Sequence, residues 1–243
     1  MTDQTGPDNR RDAVPVDRLT AFSNAILSDA GADDASARDA THAMLHASLH
    51  GIDSHGFRLL PNYRAAFIGG RLAGSPDLAF TRTRAGAGIL DAGHAHGARA
   101  MYSATAHAAD LAREAGIGAV GVRNSSHFGA AGAYAMELAK QGLGGIVFGN
   151  SDSLVRLHDG AIRFHGTNPI AVGFPADGNP WLLDMATSSI PWNRVQLYRS
   201  VGEILPPGIA SDDSGTDVTD PNEAAMLAPL AAPSGSKGPH LVV

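Results

Sequence analysis

GIGAVGVRNSSHFGAAGAYAMELAKQGLGGIVFGN, residues 116–150, is the stretch from which the architecture is read. GIGAVGVR reads as a strand, GAAGAYAMELAKQG as a helix and GGIVFGN as a second strand. Just before them, HGARAMYSATAHAADLAREAG (96–116) reads as a long alanine-rich helix and GAGILDAG (86–93) as a strand. Strand, helix, strand, helix, strand between about Gly86 and Asn150 points to an α/β layer. Further along, AIRFHGTNPIAVGFP and PWLLDMATSS read as strands, with turn chemistry at Asn168-Pro169 and Asn179-Pro180. GEILPPGIASDDSGTDVTDP, from Gly202, is turn-rich and reads as an extended loop or hairpin.

The first part of the chain follows a different rhythm. Leu19, Phe22, Ile26 and Leu27 recur at helical spacing over about 16–30, with Gly31 as a stop. An Asp pair able to cap its start precedes a second helix over about 34–49, and after the loop GIDSHG comes a short apolar helix around Leu59 to Ile68. The chain therefore divides into a polar, disordered tail (1–15), a helical unit (16–75) and an α/β region (76–243).

Composition removes several function classes. The 243 residues carry 18 Lys and Arg against 24 Asp and Glu, a net charge of -6, which argues against a nucleic-acid binder. With 44% hydrophobic and 17% charged residues the chain is globular, not disordered. The absence of cysteine removes disulfides, thiolate metal sites and a cysteine nucleophile together. No segment approaches the roughly 18 uninterrupted apolar residues of a membrane span, and the polar N-terminal run lacks the apolar core of a signal peptide. A soluble, cytoplasmic protein without membrane or nucleic-acid partners is expected.

Four polar clusters carry candidate chemistry. His55 lies in GIDSHGFR, where Gly51 and Gly56 free the backbone and Asp53 stands two residues before the ring; alternatively, Asp53 and Ser54 cap the next helix and His55 is a surface residue. His127 lies where a strand ends and a Gly-Ala helix begins, the usual place for a ligand in an α/β layer, beside Asn124, Ser125 and Ser126. Those polar neighbours are also preferred helix caps, with Ser125 or Ser126 able to serve. GNSDS (149–153) and LLDMATSS (182–189) are further strand ends rich in Asn, Ser and Thr, and together the three suggest a polar ligand along one sheet edge. His42, His46 and His50 share a helix face, yet without an interleaved carboxylate or HExxH they read as an exposed or packed face, and no metal is expected. His94 and His96 flank a glycine turn and read as structural. No GxGxxG follows the first strand to open a helix, and no GxxxxGK[ST] exists, so neither a Rossmann fingerprint nor a P-loop is present.

HGIDSHGFRLLPNY, GIGAVGVRNSSHFGAAGAYAMELAKQGLGGIVFGNS, HGTNPIAVGFP, LDMATSS, LPPG and SGSKG, in that order, resemble the type-II malate/L-lactate dehydrogenase family over about Val16 to Gly238. This family of NAD(P)-dependent oxidoreductases includes ureidoglycolate, sulfolactate, diketogulonate and piperideine-2-carboxylate enzymes. The resemblance implies a mixed α/β (α+β) fold: a helical N-terminal unit and a non-Rossmann, largely antiparallel-sheet cofactor-binding domain, in a homodimer. It replaces the parallel layer that strand and helix alternation alone suggests. It also implies hydride transfer between NAD or NADP and a small 2-hydroxy or 2-oxo acid, with His127 and His55 as acid/base residues.

Arg58 is then the candidate for the substrate carboxylate, with Ser54 and Asn124 as further substrate contacts. Ser151, Asp184, Met185, Ala186, Thr187, Ser188, Gly235, Ser236 and Lys237 match the family's cofactor contacts. In many members the arginine of the first motif sits one place later, where this chain has Leu59. Members also continue well beyond the GGxKG motif, whereas SGSKG here is followed only by PHLVV. A C-terminally truncated cofactor region is therefore expected, and with it the alternative of a catalytically inactive remnant.

Overall fold

A computed structural model of the chain describes residues 13–230 and 241–242; residues 1–12 of the expected tail lie outside the described residues. Helices α1 (Val16–Asp29), α2 (Asp34–Leu49) and α3 (Leu60–Ile68) come first, with two short 3-10 turns, Asp53–His55 and Phe57–Leu59, between the second and third. Gly31 adopts φ 99°, the left-handed conformation that ends α1, and Asp33 caps α2 by accepting from the Ser36 N–H at 2.7 Å. The apolar stripes of the three helices meet in one cluster that includes Leu27, Met44, Leu59, Tyr63, Phe67 and Leu72. Burying each large side chain of this kind contributes about 1.5–3 kcal/mol, and that burial holds the 3-10 turns against α2.

β1 (Ala79–Arg84), β2 (Ala87–Asp91), α4 (Gly97–Ala115) and β3 (Ala119–Arg123) follow. β1 runs antiparallel to β2, and β2 pairs parallel with β3 through the α4 crossover. The chain continues through α5 (Gly132–Lys140), β4 (Gly145–Phe148), β5 (Val155–Arg156), β6 (Arg163–His165), β7 (Ile170–Phe174) and β8 (Trp181–Met185). It then forms α6 (Trp192–Val201), β9 (Ala210–Ser211), β10 (Met226–Leu227) and β11 (Leu241–Val242). Two further sheets result, in the orders β11-β8-β7-β4 and β6-β5-β10-β9.

The five alternating elements expected between Gly86 and Asn150 all form, but they do not make one layer. β4 leaves β2 and β3 for the second sheet, where it pairs antiparallel with β7. Six of the eight strand pairings among the described residues are antiparallel, so the fold is mixed α/β with largely antiparallel sheets. Helix α5 lies on the second sheet through small residues, Ala131, Ala135 and Ala171 being buried with Val147 and Leu182. The approach is close enough that a Cβ at Gly173 would stand 2.6 Å from the Ala135 carbonyl oxygen, which explains glycine at that point of β7. β1 and α6 are not anticipated by the sequence reading. No helix among the described residues is long and apolar enough to cross a membrane.

Candidate active site

His55 ends the first 3-10 turn. Gly51, with φ 69°, turns the chain out of α2, and Gly56 packs so closely on Ser48 that a Cβ there would collide with the Ser48 hydroxyl. Ser54 is buried, and its Oγ lies 2.9 Å from His55 Nδ1, fixing one ring nitrogen. His127 stands in the loop between β3 and α5. The backbone of that loop is pinned from α4: the Gly97 N–H donates to Ser126 Oγ at 3.0 Å, and the same hydroxyl donates to the Ala95 carbonyl at 3.3 Å. Ser126 therefore serves the start of α4, whereas the first N–H of α5, that of Gly132, donates to Asp184 Oδ2 at 2.9 Å.

The two histidine rings stack with centroids 5.6 Å apart. His127 Nδ1 lies 2.8 Å from the hydroxyl of Tyr63, a buried residue of the helical cluster. Burial pushes the Tyr63 phenol well above its usual pKa, so it stays protonated. The surrounding protein and the charge of His127 bring His55 down to about 3. His127 itself, although an exposed residue, is held below the usual histidine value by desolvation and by the positive charge of Arg71. Both rings are thus neutral at neutral pH, with Nε2 of His127 left free of the Tyr63 contact.

Behind them sits His96, whose Nδ1 accepts from the Ala98 N–H at 3.1 Å as the cap of α4. Its ring meets Tyr63 edge-on, with centroids 4.2 Å apart. Tyr63 and His96 both escape the sequence reading as parts of this cluster. Tyr63 is visible there only as the last residue of FRLLPNY, and its contact with His127 spans 64 positions.

The polar strand ends also converge. Ser151 Oγ lies 3.1 Å from Thr167 Oγ1 and accepts from the Thr167 N–H at 3.0 Å, while the Ser151 N–H donates to Asn168 Oδ1 at 3.1 Å. Thr187 Oγ1 donates to the carbonyls of Thr167 and Asn168, each at 3.1 Å. Ser151 and Thr187, far apart in sequence, are thereby joined through the turn before β7, and Thr167 and Asn168 enter a cluster for which no role was expected of them. The Phe128 ring, next to His127, lies against Gly149, where a Cβ would be 3.1 Å away; the histidine loop and the Ser151 cluster are therefore neighbours. Hydroxyls and amides gathered in this way are of the kind that suits the ribose hydroxyls, pyrophosphate and carboxamide of a dinucleotide.

Other expected residues have contacts of their own. Ser188 is buried and donates to the Ile190 carbonyl at 2.7 Å, and Met185 and Ala186 are half-buried at the end of β8. Asp184 faces the start of α5, and burial raises its pKa. Asn124, with φ 52°, donates to both carboxylate oxygens of Asp91 at 3.0 Å. The Arg58 guanidinium donates to the carbonyls of Asn193 and Gln196 and to Ser200 Oγ, on α6. Gly235, Ser236 and Lys237 lie outside the described residues. Of the histidine stripe on α2, His42 stacks on Tyr102 and His46 on His50, so the rings serve packing contacts.

The profile of the malate/L-lactate dehydrogenase family matches residues 14–243. The chain belongs to that family. A malate dehydrogenase of Pyrococcus abyssi is 38% identical over 202 residues, covering 83% of this chain and 56% of the relative. A (2R)-3-sulfolactate dehydrogenase (NADP(+)) of Chromohalobacter salexigens is 33% identical over 204 residues, covering 83% and 60%. Among solved structures, malate dehydrogenase from Entamoeba histolytica superimposes with a TM-score of 0.86 at 30% identity, covering 92% of this chain and 65% of that one. The chain thus spans 56% to 65% of the length of these members of the malate/L-lactate dehydrogenase family.

Proposed function

We propose that the chain carries the acid/base centre of an NAD(P)-dependent oxidoreductase that interconverts small 2-hydroxy and 2-oxo acids. The observation that carries this reading is the His55–His127 pair with Tyr63 hydrogen-bonded to His127 Nδ1. A nicotinamide cofactor, when bound, supplies or accepts the hydride; the protein must orient the substrate carbon and manage one proton. The hydroxyls of Ser151, Thr167 and Thr187 would hold such a cofactor beside the histidine loop. The name of the Chromohalobacter relative, which specifies NADP(+), supports a nicotinamide cofactor in this family. The family resemblance supports a homodimer as the working form.

His127 is the proton acceptor for the substrate hydroxyl in oxidation. A pKa below the usual histidine range leaves it unprotonated at neutral pH, ready to receive a proton on Nε2. For Nε2 to do so, Nδ1 must carry the other hydrogen and donate it to Tyr63, whose phenol, unable to ionise, orients the ring without competing for the proton. His55, tied to Ser54, faces the ring that becomes charged; its own pKa of about 3 keeps it neutral while His127 carries the proton. In reduction the same proton returns to the oxygen of the 2-oxo group. An anionic substrate next to His127 also meets the positive field of the exposed Arg71.

The test is His127→Asn, assayed with NADH and NADPH against a panel of 2-oxo acids. Turnover is expected to fall about 10²- to 10⁴-fold, the usual worth of a positioned acid/base group, while the thermal transition is unchanged. Undiminished turnover in a folded variant would refute the assignment. Failure of the parent chain both to turn over and to quench NADH or NADPH fluorescence would favour the inactive remnant instead.

A further inference from the structure

Arg58 and Arg199 line one cavity of about 530 Å³ between the start of α3 and α6, together with Asn62, Trp192 and Ser200. No carboxylate lines it. Arg58 donates only to neutral acceptors, the carbonyls of Asn193 and Gln196 and the Ser200 hydroxyl. Arg199 likewise donates to Gln196 Oε1 at 3.2 Å and to the Pro221 carbonyl at 2.5 Å, and its Nε is buried without a hydrogen-bond partner. Both guanidinium groups donate to Gln196, Arg58 to its backbone carbonyl and Arg199 to its side chain. Neither takes part in an ion pair among the described residues. Two guanidinium charges that line one cavity without a counter-charge repel one another, and an anion seated there relieves that repulsion.

We infer that this cavity binds a small organic dicarboxylate, one carboxylate to each arginine. The planar fork of a guanidinium matches a carboxylate through paired hydrogen bonds, and each arginine keeps donors that the protein does not use. The volume lies in the range of about 300–1,000 Å³ typical of small-molecule sites. Trp192 and Leu59 supply apolar wall for the carbon chain, and Asn62 a further amide. His55 and His127 are not among the lining residues, so the ligand sits apart from the proposed reacting centre. Arg58, expected from the sequence to meet the substrate carboxylate, serves this second site.

Equilibrium dialysis of radiolabelled succinate against the purified 243-residue chain tests the inference. Succinate has no 2-hydroxyl and cannot be oxidised in the proposed reaction. Saturable binding of one succinate per chain is expected, weakened about ten- to a hundred-fold in Arg199→Gln, as fits the loss of a charge-assisted bond. Arg199→Lys, which keeps the charge and loses the fork, is expected to weaken binding as well, and serves if the Gln variant fails to fold. His127→Asn is expected to leave succinate binding unchanged, which separates this site from the acid/base centre. No saturable binding by the parent chain, undiminished binding in folded Arg199 variants, or loss of binding in a folded His127→Asn would each overturn the inference.

Discussion

Gly97→Ala should damage the histidine site from outside it. Gly97 opens α4 beneath the loop that carries His127, and a Cβ there would lie 2.5 Å from the His127 carbonyl oxygen and 2.6 Å from its carbonyl carbon. It would be closer still to the Ser126 carbonyl oxygen. Ordinary contact begins near 3.4 Å and the Ser126 oxygen would lie at 2.4 Å, so the loop must retreat by about 1.0 Å. Two effects oppose each other. Alanine is favoured over glycine in a helix by at most about 1 kcal/mol, and less in the first turn. Forcing a methyl group into a filled site costs about 1–3 kcal/mol, and the atoms met here are backbone, which cannot swing aside.

The steric term wins, and a net loss of roughly 1–2 kcal/mol is expected in urea denaturation, as a lower midpoint at unchanged slope. A shift near 1 Å also breaks the register of His127 with Tyr63, and misplacement on that scale costs about 10²-fold in turnover. NMR titration of the His127 ring is the companion measurement, because the ring loses the Tyr63 contact. A Gly97→Ala chain as stable as the parent or more so, with the His127 titration unmoved, would refute the packing argument.

Acid should weaken the fold through buried neutral histidines. His46 and His96 are both held at about 3, chiefly by desolvation, against a usual 6.5. A lowered folded-state pKa means that the unfolded chain binds more protons between those values, so their stabilisation is complete above pH 6.5 and is lost as pH falls toward 3. Each group adds a slope of about 1.4 kcal/mol per pH unit in that window; denaturation midpoints that stay level from pH 7 to 4 would contradict this. Arg71→Gln removes a like charge, so the His127 titration should move to higher pH, read by NMR; no movement would mean that Arg71 does not act on the ring. Asp184→Ala strips the acceptor from the Gly132 N–H at the start of α5 and should cost about 0.5–2 kcal/mol in thermal unfolding, whereas an unchanged transition would show that the cap contributes nothing.

What the sequence revealed and what it hid follow from how local each signal is. α2, α4 and α5 are legible because their small and apolar residues recur with the helical period and their ends carry capping or glycine signals. α6 escapes because only Val195 of its ten residues is fully buried, which leaves no stripe to read in WNRVQLYRSV. β1 escapes for a related reason: five of its six residues are exposed, so AFTRTR lacks the alternation of a half-buried strand. Strand and helix alternation also says nothing about which sheet a strand joins, and β4 follows the hydrogen-bonding partner supplied by β7, a distant segment.

The site divides in the same way. His127 is legible as a strand-end histidine, and the resemblance singles out His55. Their meeting, and the Tyr63 bond that leaves one nitrogen of His127 free, depend on the helical cluster packing against the α4–β3 layer. Arg58 marks the limit most sharply. It stands three residues after His55, and the second 3-10 turn carries its guanidinium to α6, an element without a sequence signal. Proximity in a motif fixes the reach of the backbone, while the side chain's partner is decided by whichever element packs against the turn, and no spacing within HGIDSHGFR encodes that α6 is the element that packs there.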